Sequence, residues 1–192
     1  MILGLTGFSG AGKSTVAAIF KEQGYYHLDC DHLVHHEVYG DAEVLQALAD
    51  AFGEDILRDG ALDRPALRGV TMGNPAALEK LNQIMMPFIL AAIQRTLDAH
   101  RGENIILDAP LLFESGLDKK CDKVLSVVAD PKDAAERIIE RDHLRPEEAQ
   151  RRLSSQHPAS FYTAQSDHTI MNRGDLSALR QHTLELIRTI DE

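Results

Sequence analysis

Short apolar runs alternate with longer amphipathic stretches along this chain, a pattern that is typical of an α/β protein. The runs with strand character lie at residues 2–6, 25–28, 104–108, 123–128 and 169–171. The stretches between them repeat apolar residues every three or four positions, as a helix with one buried face does. A chain of 192 residues can bury one substantial core. We therefore predict one α/β core domain that carries insertions.

The longest interval without a strand pattern runs from residue 41 to residue 101. A turn at Gly60–Pro65 leads into one predicted helix, and Asn74-Pro75 is a typical helix start. A further helix is predicted to open at Pro87, because proline suits a first helical turn better than a helix interior. Several helices in series do not fit a simple alternation of strands and helices, so we predict an inserted helical lobe.

The charge and cysteine content limit the classes of partner. The formal net charge is −10, which argues against nonspecific nucleic-acid binding and against an anionic membrane surface. Cys30 and Cys121 form neither a redox pair nor a zinc motif, which favours a reducing compartment. We find neither a signal peptide nor an apolar run long enough to span a bilayer. The expectation is a cytoplasmic protein without an obligate protein partner.

The segment Gly7-Phe8-Ser9-Gly10-Ala11-Gly12-Lys13-Ser14 follows the first strand and fits the P-loop pattern G-x-x-x-x-G-K-[ST]. Its glycines permit positive φ, so that successive N–H groups can surround a phosphate at the start of the next helix. In such a loop the lysine reaches the β and γ phosphates and the serine hydroxyl ligates Mg²⁺. The sequence therefore predicts a nucleoside triphosphate site.

Three acids follow predicted strands and are candidates for chemistry beside the loop. Asp29 and Asp31 follow the second strand, and we expect at least one of them to have a catalytic or substrate-binding role. The alternative for Asp31 is that it caps the next helix. Asp108 ends the third strand, as in a Walker B acid that holds Mg²⁺ directly or through water. The alternative for Asp108 is a structural acid in the turn before Pro110.

Histidines and arginines form two further clusters. His32, His35 and His36 have a spacing that could bring two imidazoles to one metal, but without further ligands we favour a solvated helix face and predict no zinc site. Arginine is concentrated between residues 137 and 152. These side chains either meet a phosphate, which the guanidinium fork suits, or pair with neighbouring glutamates.

Together these stretches resemble the dephospho-coenzyme A kinases, small-molecule kinases of the nucleoside-monophosphate-kinase type. The matching segments span nearly the whole chain in the family's order, and the P-L-L-F-E run is the most discriminating. They are Gly4 to Gly7 running into the P-loop, Asp29-Cys30-Asp31, Gly60-Ala61-Leu62-Asp63-Arg64, Asp108-Ala109-Pro110-Leu111-Leu112-Phe113-Glu114, Arg137 to Arg141, Gln156, and Ser166-Asp167 through Asn172-Arg173-Gly174.

The resemblance implies a P-loop kinase fold: a central parallel five-stranded sheet flanked by helices, a helical substrate-binding insertion and a small helical lid. It divides the single domain into a core (1–30, 102–136 and 159–192), an acceptor-binding lobe (31–101) and a lid (137–158). The implied reaction is phosphorylation of the ribose 3'-hydroxyl of dephospho-CoA by ATP with Mg²⁺, the last step of coenzyme A biosynthesis.

The resemblance also implies roles for particular residues. Asp31 is the candidate base, and Lys13 and Arg141 stabilise the transferring phosphoryl group. The other expected site residues are Gly10, Ala11, Gly12, Lys13, Ser14, Thr15 and Asn172 for ATP, Thr6, Asp29, Asp31, Arg64, Pro110 and Leu111 for the acceptor, and Ser14 and Asp108 for Mg²⁺.

The chain departs from the family pattern at three positions. Phe8 stands where glycine is usual, on a free position of the motif; His35 replaces a common arginine and Met86 a common histidine, which affects details of acceptor binding. The alternative function is another P-loop kinase, acting on a nucleoside, nucleotide or small acid. A GTPase-like switch is disfavoured, because the chain contains no guanine-reading N-K-x-D motif.

Overall fold

The computed structural model describes residues 1–191, in which strands and helices alternate as in an α/β fold. The strands are β1 (Ile2–Thr6), β2 (Tyr26–Asp29), β3 (Leu57–Arg58), β4 (Ala61–Leu62), β5 (Ile105–Asp108), β6 (Lys123–Ala129) and β7 (His168–Asn172). The helices are α1 (Lys13–Glu22), α2 (Cys30–His36), α3 (Ala42–Phe52), α4 (Arg64–Thr71), α5 (Pro75–Ala99), α6 (Pro131–Asp142), α7 (Pro146–Ser154), α8 (Ala159–Thr163) and α9 (Leu176–Asp191).

The central sheet has the strand order β2-β5-β1-β6-β7. Strand β1 runs parallel to β5 and β6, and β6 runs parallel to β7. Leu3 and Leu5 on one face of β1 and Thr6 on the other are completely buried, as expected for a central strand that is covered on both faces. All five predicted strands, and the parallel five-stranded sheet that the resemblance implied, are confirmed.

The described chain forms two compact units. The first unit comprises Met1–Leu28 and Gly102–Glu192, and the second unit comprises Asp29–Arg101. The core of the first unit is built from the central strands together with the apolar face of α1, where Val16, Ile19 and Phe20 are buried. This packing fixes the start of α1, and with it the P-loop, at the end of β1.

The second unit is largely helical, and side-chain caps determine where its helices begin. The Asp63 carboxylate accepts a hydrogen bond from the N–H of Ala66 at the start of α4, and the Asn74 side chain accepts one from Ala77 at the start of α5. The short antiparallel pair β3 and β4 was not predicted, because two residues on each side are too few to show an alternating pattern.

Helix α5 is continuous through Pro87, so the prediction that a new helix opens there is wrong. Proline removes one backbone N–H and normally interrupts a helix. Here the buried residues on both sides of it, Met85, Ala92, Ile93 and Leu97, continue one apolar face. Tertiary packing along that face outweighs the local preference of a single proline.

By length and composition alone, α5 is sufficient to cross a membrane, with a mean hydropathy of 1.3 over its most apolar window. The expectation that no run in the chain is long enough is therefore wrong on this criterion. The finding is weak evidence for a membrane span, because a long helix within an ordinary folded domain meets the same criterion.

Candidate active site

The P-loop connects β1 to α1, and its backbone lies directly against β6 and α6. Gly7 has φ 143° and Gly10 has φ 78°, in the region where side chains are rarely tolerated. A Cβ atom on Gly7 would collide with the carbonyl oxygen of Val127, and one on Gly10 with that of Ala134. Glycine is therefore required at both positions by close backbone approach as well as by φ.

The first N–H groups of α1 have no acceptor inside the helix, as in any first helical turn. Within the loop, the Ala11 N–H donates to Phe8 O at 3.2 Å, and the Thr15 N–H donates to Gly12 O at 3.1 Å. The Ser14 side chain lies in an exposed position. The positive end of the α1 dipole and the exposed Ser14 hydroxyl make this position suitable for an anion.

Lys13, Asp108 and His27 form a charged cluster beside the loop. The Lys13 Nζ forms an ion pair with Asp108 Oδ1, and His27 Nε2 lies 3.3 Å from Asp108 Oδ2. Asp108 is 6% exposed, so its carboxylate is almost removed from water. Asp108 ends β5, which pairs directly with β1, and this pairing brings the strand-end acid to the P-loop lysine.

The surroundings of Asp108 favour its ionised form. Burial raises the pKa of this carboxyl. The hydrogen bond with His27 and the interaction with Lys13 together lower the pKa by more than burial raises it, so the pKa lies below its ordinary value. An ionised carboxylate and the exposed hydroxyl of Ser14 are oxygen ligands of the kind that Mg²⁺ takes. Within residues 1–191 no group of three or more His, Cys, Asp or Glu side chains is arranged so that it could hold a metal ion by itself. These two residues fit a magnesium that is held mainly by substrate phosphates.

Three side chains from distant parts of the first unit hold the backbone of the loop. The Asn172 Nδ2 donates to Ala11 O at 2.8 Å, and the Arg137 guanidinium donates to Gly10 O at 3.2 Å. The Ser9 N–H donates to the Gln156 Oε1 at 2.9 Å. Asn172 is 4% exposed and ends β7, next to the β6 strand against which the loop packs. The expected ATP-binding residue Asn172 is thus part of the scaffold of the phosphate loop.

Thr6 and Pro110, two of the expected acceptor residues, are in contact. The buried Thr6 hydroxyl donates to the carbonyl oxygen of Pro110 at 3.3 Å. Leu111, the next residue, is 63% exposed, which is unusual for a leucine beside a buried strand. This contact fixes the start of the P-L-L-F-E segment to the residue that precedes the P-loop.

The arginines after β6 are partly paired with acids of their own segment. Arg141 forms a two-bond contact with Asp142, at 2.7 and 2.8 Å, and Arg152 reaches the same carboxylate at 2.6 Å. The hydrogen bond from Arg141 is the main reason that the pKa of Asp142 falls to about 2. Arg145 pairs with Glu148 at 2.9 Å. Arg141, Arg145 and Arg152 therefore already have acidic neighbours, whether the cluster serves only for such pairing or also binds a phosphate.

The remaining expected site residues belong to the second unit. Asp29 caps α2, and its Oδ1 accepts the N–H of His32 at 2.9 Å, while Asp31 lies in the first turn of that helix. The cap of α2 is therefore Asp29, and the alternative in which Asp31 serves as the cap is wrong. Arg64 is the first residue of α4, and its guanidinium lies 3.3 Å from His35 Nε2.

His27 was missed by the sequence analysis, although it contacts the expected metal-side acid. Its partner Asp108 is 81 residues away in the chain, and a histidine within a short strand gives no local signal of such a contact. The same holds for Arg137 and Gln156, which were expected in a lid and also contact the P-loop.

The parallel sheet, the glycine-built loop and the lysine beside a strand-end acid define a P-loop kinase. The sequence profile of the family described as Dephospho-CoA kinase matches residues 1–178. The chain belongs to the dephospho-CoA kinase family.

Individual relatives agree with this assignment. A dephospho-CoA kinase of Symbiobacterium thermophilum is 37% identical over 183 residues, which cover 93% of this chain and 77% of that protein. A dephospho-CoA kinase of Fusobacterium nucleatum is 35% identical over 191 residues, 99% of this chain and 98% of that protein. A Thermus thermophilus protein of known crystal structure has the same fold, with a TM-score of 0.83, 28% identity, and coverage of 98% of this chain and 97% of that one.

Proposed function

We propose that this chain catalyses the reaction of its family at the site around Lys13: ATP phosphorylates the ribose 3'-hydroxyl of dephospho-CoA, giving coenzyme A and ADP. As a member of the dephospho-CoA kinase family, the chain is an ATP-dependent phosphotransferase of coenzyme A biosynthesis. The observation that carries the proposal is the pairing of the P-loop lysine with Asp108 at the end of β5. Neither Cys30 nor Cys121 forms a disulfide, which fits the cytoplasmic location that we also propose.

In this proposal the P-loop backbone binds the triphosphate and Lys13 stabilises the charge that develops on the transferring phosphoryl group. The loop is suited to this role because its glycines adopt the positive φ that a tight phosphate loop needs and because it lies at the positive end of the α1 dipole. Mg²⁺, when bound by Ser14 and Asp108, would neutralise charge on the β and γ phosphates. Lys13 would then exchange part of its interaction with Asp108 for an interaction with phosphate.

We assign the role of base to Asp31 and the binding of the acceptor to Arg64. Asp29 is the weaker candidate for the base, since one of its carboxylate oxygens is already used to cap α2. The transition state of phosphoryl transfer is thought to be loose, so the base contributes less than charge neutralisation and positioning. Removal of Asp31 should therefore lower turnover less than removal of Lys13.

We further propose that residues 137–158 act as a lid and residues 31–101 as the acceptor-binding lobe, which close over the substrates and exclude water. Two residues near the ends of the lid segment, Arg137 and Gln156, contact the P-loop backbone, which would link loop occupancy to lid position. Arg141 would leave Asp142 to reach the phosphoryl group. Protection of residues 140–158 from proteolysis by both substrates together supports closure, and equal cleavage with and without substrates contradicts it.

The direct test is turnover of dephospho-CoA with ATP and Mg²⁺ by the wild-type chain and by Lys13→Ala. Loss of one transition-state donor costs about 3 kcal/mol, so kcat should fall by roughly 100-fold or more. The matched control is Lys21→Ala, which removes an exposed lysine from the last turn of the same helix. Full turnover by Lys13→Ala would exclude this site.

A panel of acceptors separates the proposal from its alternatives. Phosphorylation of dephospho-CoA at low concentration, with little activity on nucleosides, nucleotides or small acids, is the expected result. Preferential phosphorylation of another acceptor would indicate a different P-loop kinase. Preference for GTP, with slow hydrolysis and no transfer to any acceptor, would indicate a nucleotide switch.

A further inference from the structure

The second unit contains a cavity of about 580 Å³, and of its lining residues only Arg64 has been given a role above. Its wall is formed by Tyr39, by the face of α4 that carries Arg64, Leu67 and Arg68, and by Leu81 of α5. Cavities that bind small molecules commonly have volumes of roughly 300–1,000 Å³ and combine an apolar wall with a few polar groups. Both the size and the lining of this cavity are in that class.

The polar side of the cavity is strongly cationic. Arg64 and Arg68 are four residues apart on α4, so they lie on the same side of the helix, and both are exposed. Within the described residues 1–191, neither guanidinium forms an ion pair with a carboxylate. The nearby Asp63 caps α4 and pairs with Arg58 at 2.8 Å. In a protein with a net charge of −10, two unneutralised arginines on one cavity wall indicate an anionic ligand.

His35 positions one of these arginines. Its Nε2 lies 3.3 Å from the Arg64 guanidinium, which can only donate, so the contact is a hydrogen bond when Nε2 carries no proton. A neutral imidazole orients the guanidinium and leaves its charge in place, whereas a carboxylate would neutralise that charge. The histidine that departs from the family pattern thus leaves the charge of Arg64 available to a ligand.

The remaining wall suits a ligand that is not a simple anion. Leu67 is buried and Leu81 half-buried, and they give the cavity an apolar side. Burial raises the pKa of Tyr39, more than nearby Arg64 lowers it. Its phenol therefore stays protonated and can donate a hydrogen bond to a phosphate oxygen. Two cations and a neutral donor facing an apolar wall fit a phosphate ester with an aliphatic arm.

We infer that this cavity binds the diphosphate bridge of the acceptor, with Arg64 and Arg68 as its paired cations and Tyr39 as a hydrogen-bond donor. The inference rests on the proposed function, because dephospho-CoA carries a diphosphate between its adenosine and its pantetheine arm. Planar guanidinium groups one helical turn apart can each donate two hydrogen bonds to adjacent phosphates. The beginning of the pantetheine arm lies along Leu67 and Leu81. Arg68 and Tyr39 thereby become determinants of acceptor specificity.

The test compares Arg68→Ala and Arg68→Lys with the wild-type chain in steady-state kinetics. Loss of a charge-assisted contact should raise KM for dephospho-CoA roughly 10-fold to 100-fold, while KM for ATP changes by less than about twofold. Lysine keeps the charge but loses the fork, so Arg68→Lys should recover part of the affinity. The control is Arg101→Ala, which removes an exposed arginine that pairs with Asp98 in the same unit.

Salt provides a second readout that a merely structural role would not change. KM for dephospho-CoA should rise with ionic strength in the wild-type chain and rise less steeply in Arg68→Ala, because one cation no longer contributes. Unchanged KM and salt dependence in Arg68→Ala, with normal wild-type turnover, overturn this inference and leave the proposed function intact. Absence of wild-type turnover of dephospho-CoA overturns both. A thermal melt of each variant excludes unfolding as the cause.

Discussion

Replacing Lys13 by Met should destabilise the folded chain as well as remove activity, because Lys13 is the cationic partner of a buried acid. The side chains of Lys13 and Asp108 are 18% and 8% exposed. Losing one partner of a fully buried ion pair costs about 3–5 kcal/mol, and exposed pairs contribute about 0–1 kcal/mol. This pair lies between these limits, and His27 remains beside the carboxylate. We therefore expect Lys13→Met to lower the free energy of unfolding by about 1–3 kcal/mol.

The assay is urea unfolding at pH 7, followed by circular dichroism, with Lys21→Met as the control. The control removes a lysine from the same helix at an exposed position, so it should change stability by less than about 0.5 kcal/mol. Adding Asp108→Asn to Lys13→Met removes the unpaired charge, and the double variant should recover part of the loss. If Lys13→Met is as stable as Lys21→Met, the Lys13–Asp108 contact contributes nothing to the fold and this reasoning is refuted.

Three further perturbations test other parts of the structure. The pKa of Asp108 is lower in the folded chain than in the unfolded chain. The ionised carboxylate therefore stabilises the fold above the ordinary Asp pKa near 3.8, and this stabilisation is lost as the pH falls through the folded pKa. When the free energy of unfolding is measured at decreasing pH, Asp108→Asn should lose less of it than the wild-type chain does. Gly10→Ala should destabilise by about 2 kcal/mol or more and weaken ATP binding in calorimetry, because its Cβ meets the Ala134 carbonyl oxygen; wild-type affinity would contradict the loop packing. Pro87→Ala restores a backbone N–H within α5 and should raise the thermal midpoint, whereas a lower midpoint would show that the proline ring makes packing contacts that outweigh this gain.

The P-loop and the five strands could be predicted from sequence because their signals are local. Gly7 to Ser14 encodes a backbone shape directly, and an apolar run such as Ile105–Leu107 can only be satisfied inside a sheet. The position of Asp108 at the end of a strand then indicated a Walker B acid beside the loop. This position could not show that Lys13 and His27 share the Asp108 carboxylate, since both contacts depend on the strand order.

Local rules failed where distant packing decides the outcome. Pro87 has the sequence signature of a helix start, but the apolar face of α5 continues through it. Arg137 and Gln156 lie in the segment expected to form the lid, and no local pattern indicated that their side chains also contact the P-loop backbone. These contacts join residues 127 and 147 positions apart, and no short motif records them.

The support of the P-loop by late residues has a consequence for synthesis on the ribosome. Residues 7–14 leave the exit tunnel early, but the side chain that holds Ala11 belongs to Asn172, 161 residues later. Strand β1 likewise lacks both sheet neighbours until β5 and β6 have been made. A growing chain that stops before β7 therefore carries the complete phosphate-binding motif in an unsupported form. Acquisition of tight ATP binding would mark the last stage of folding, and nascent chains arrested before and after β7 would differ sharply in nucleotide affinity.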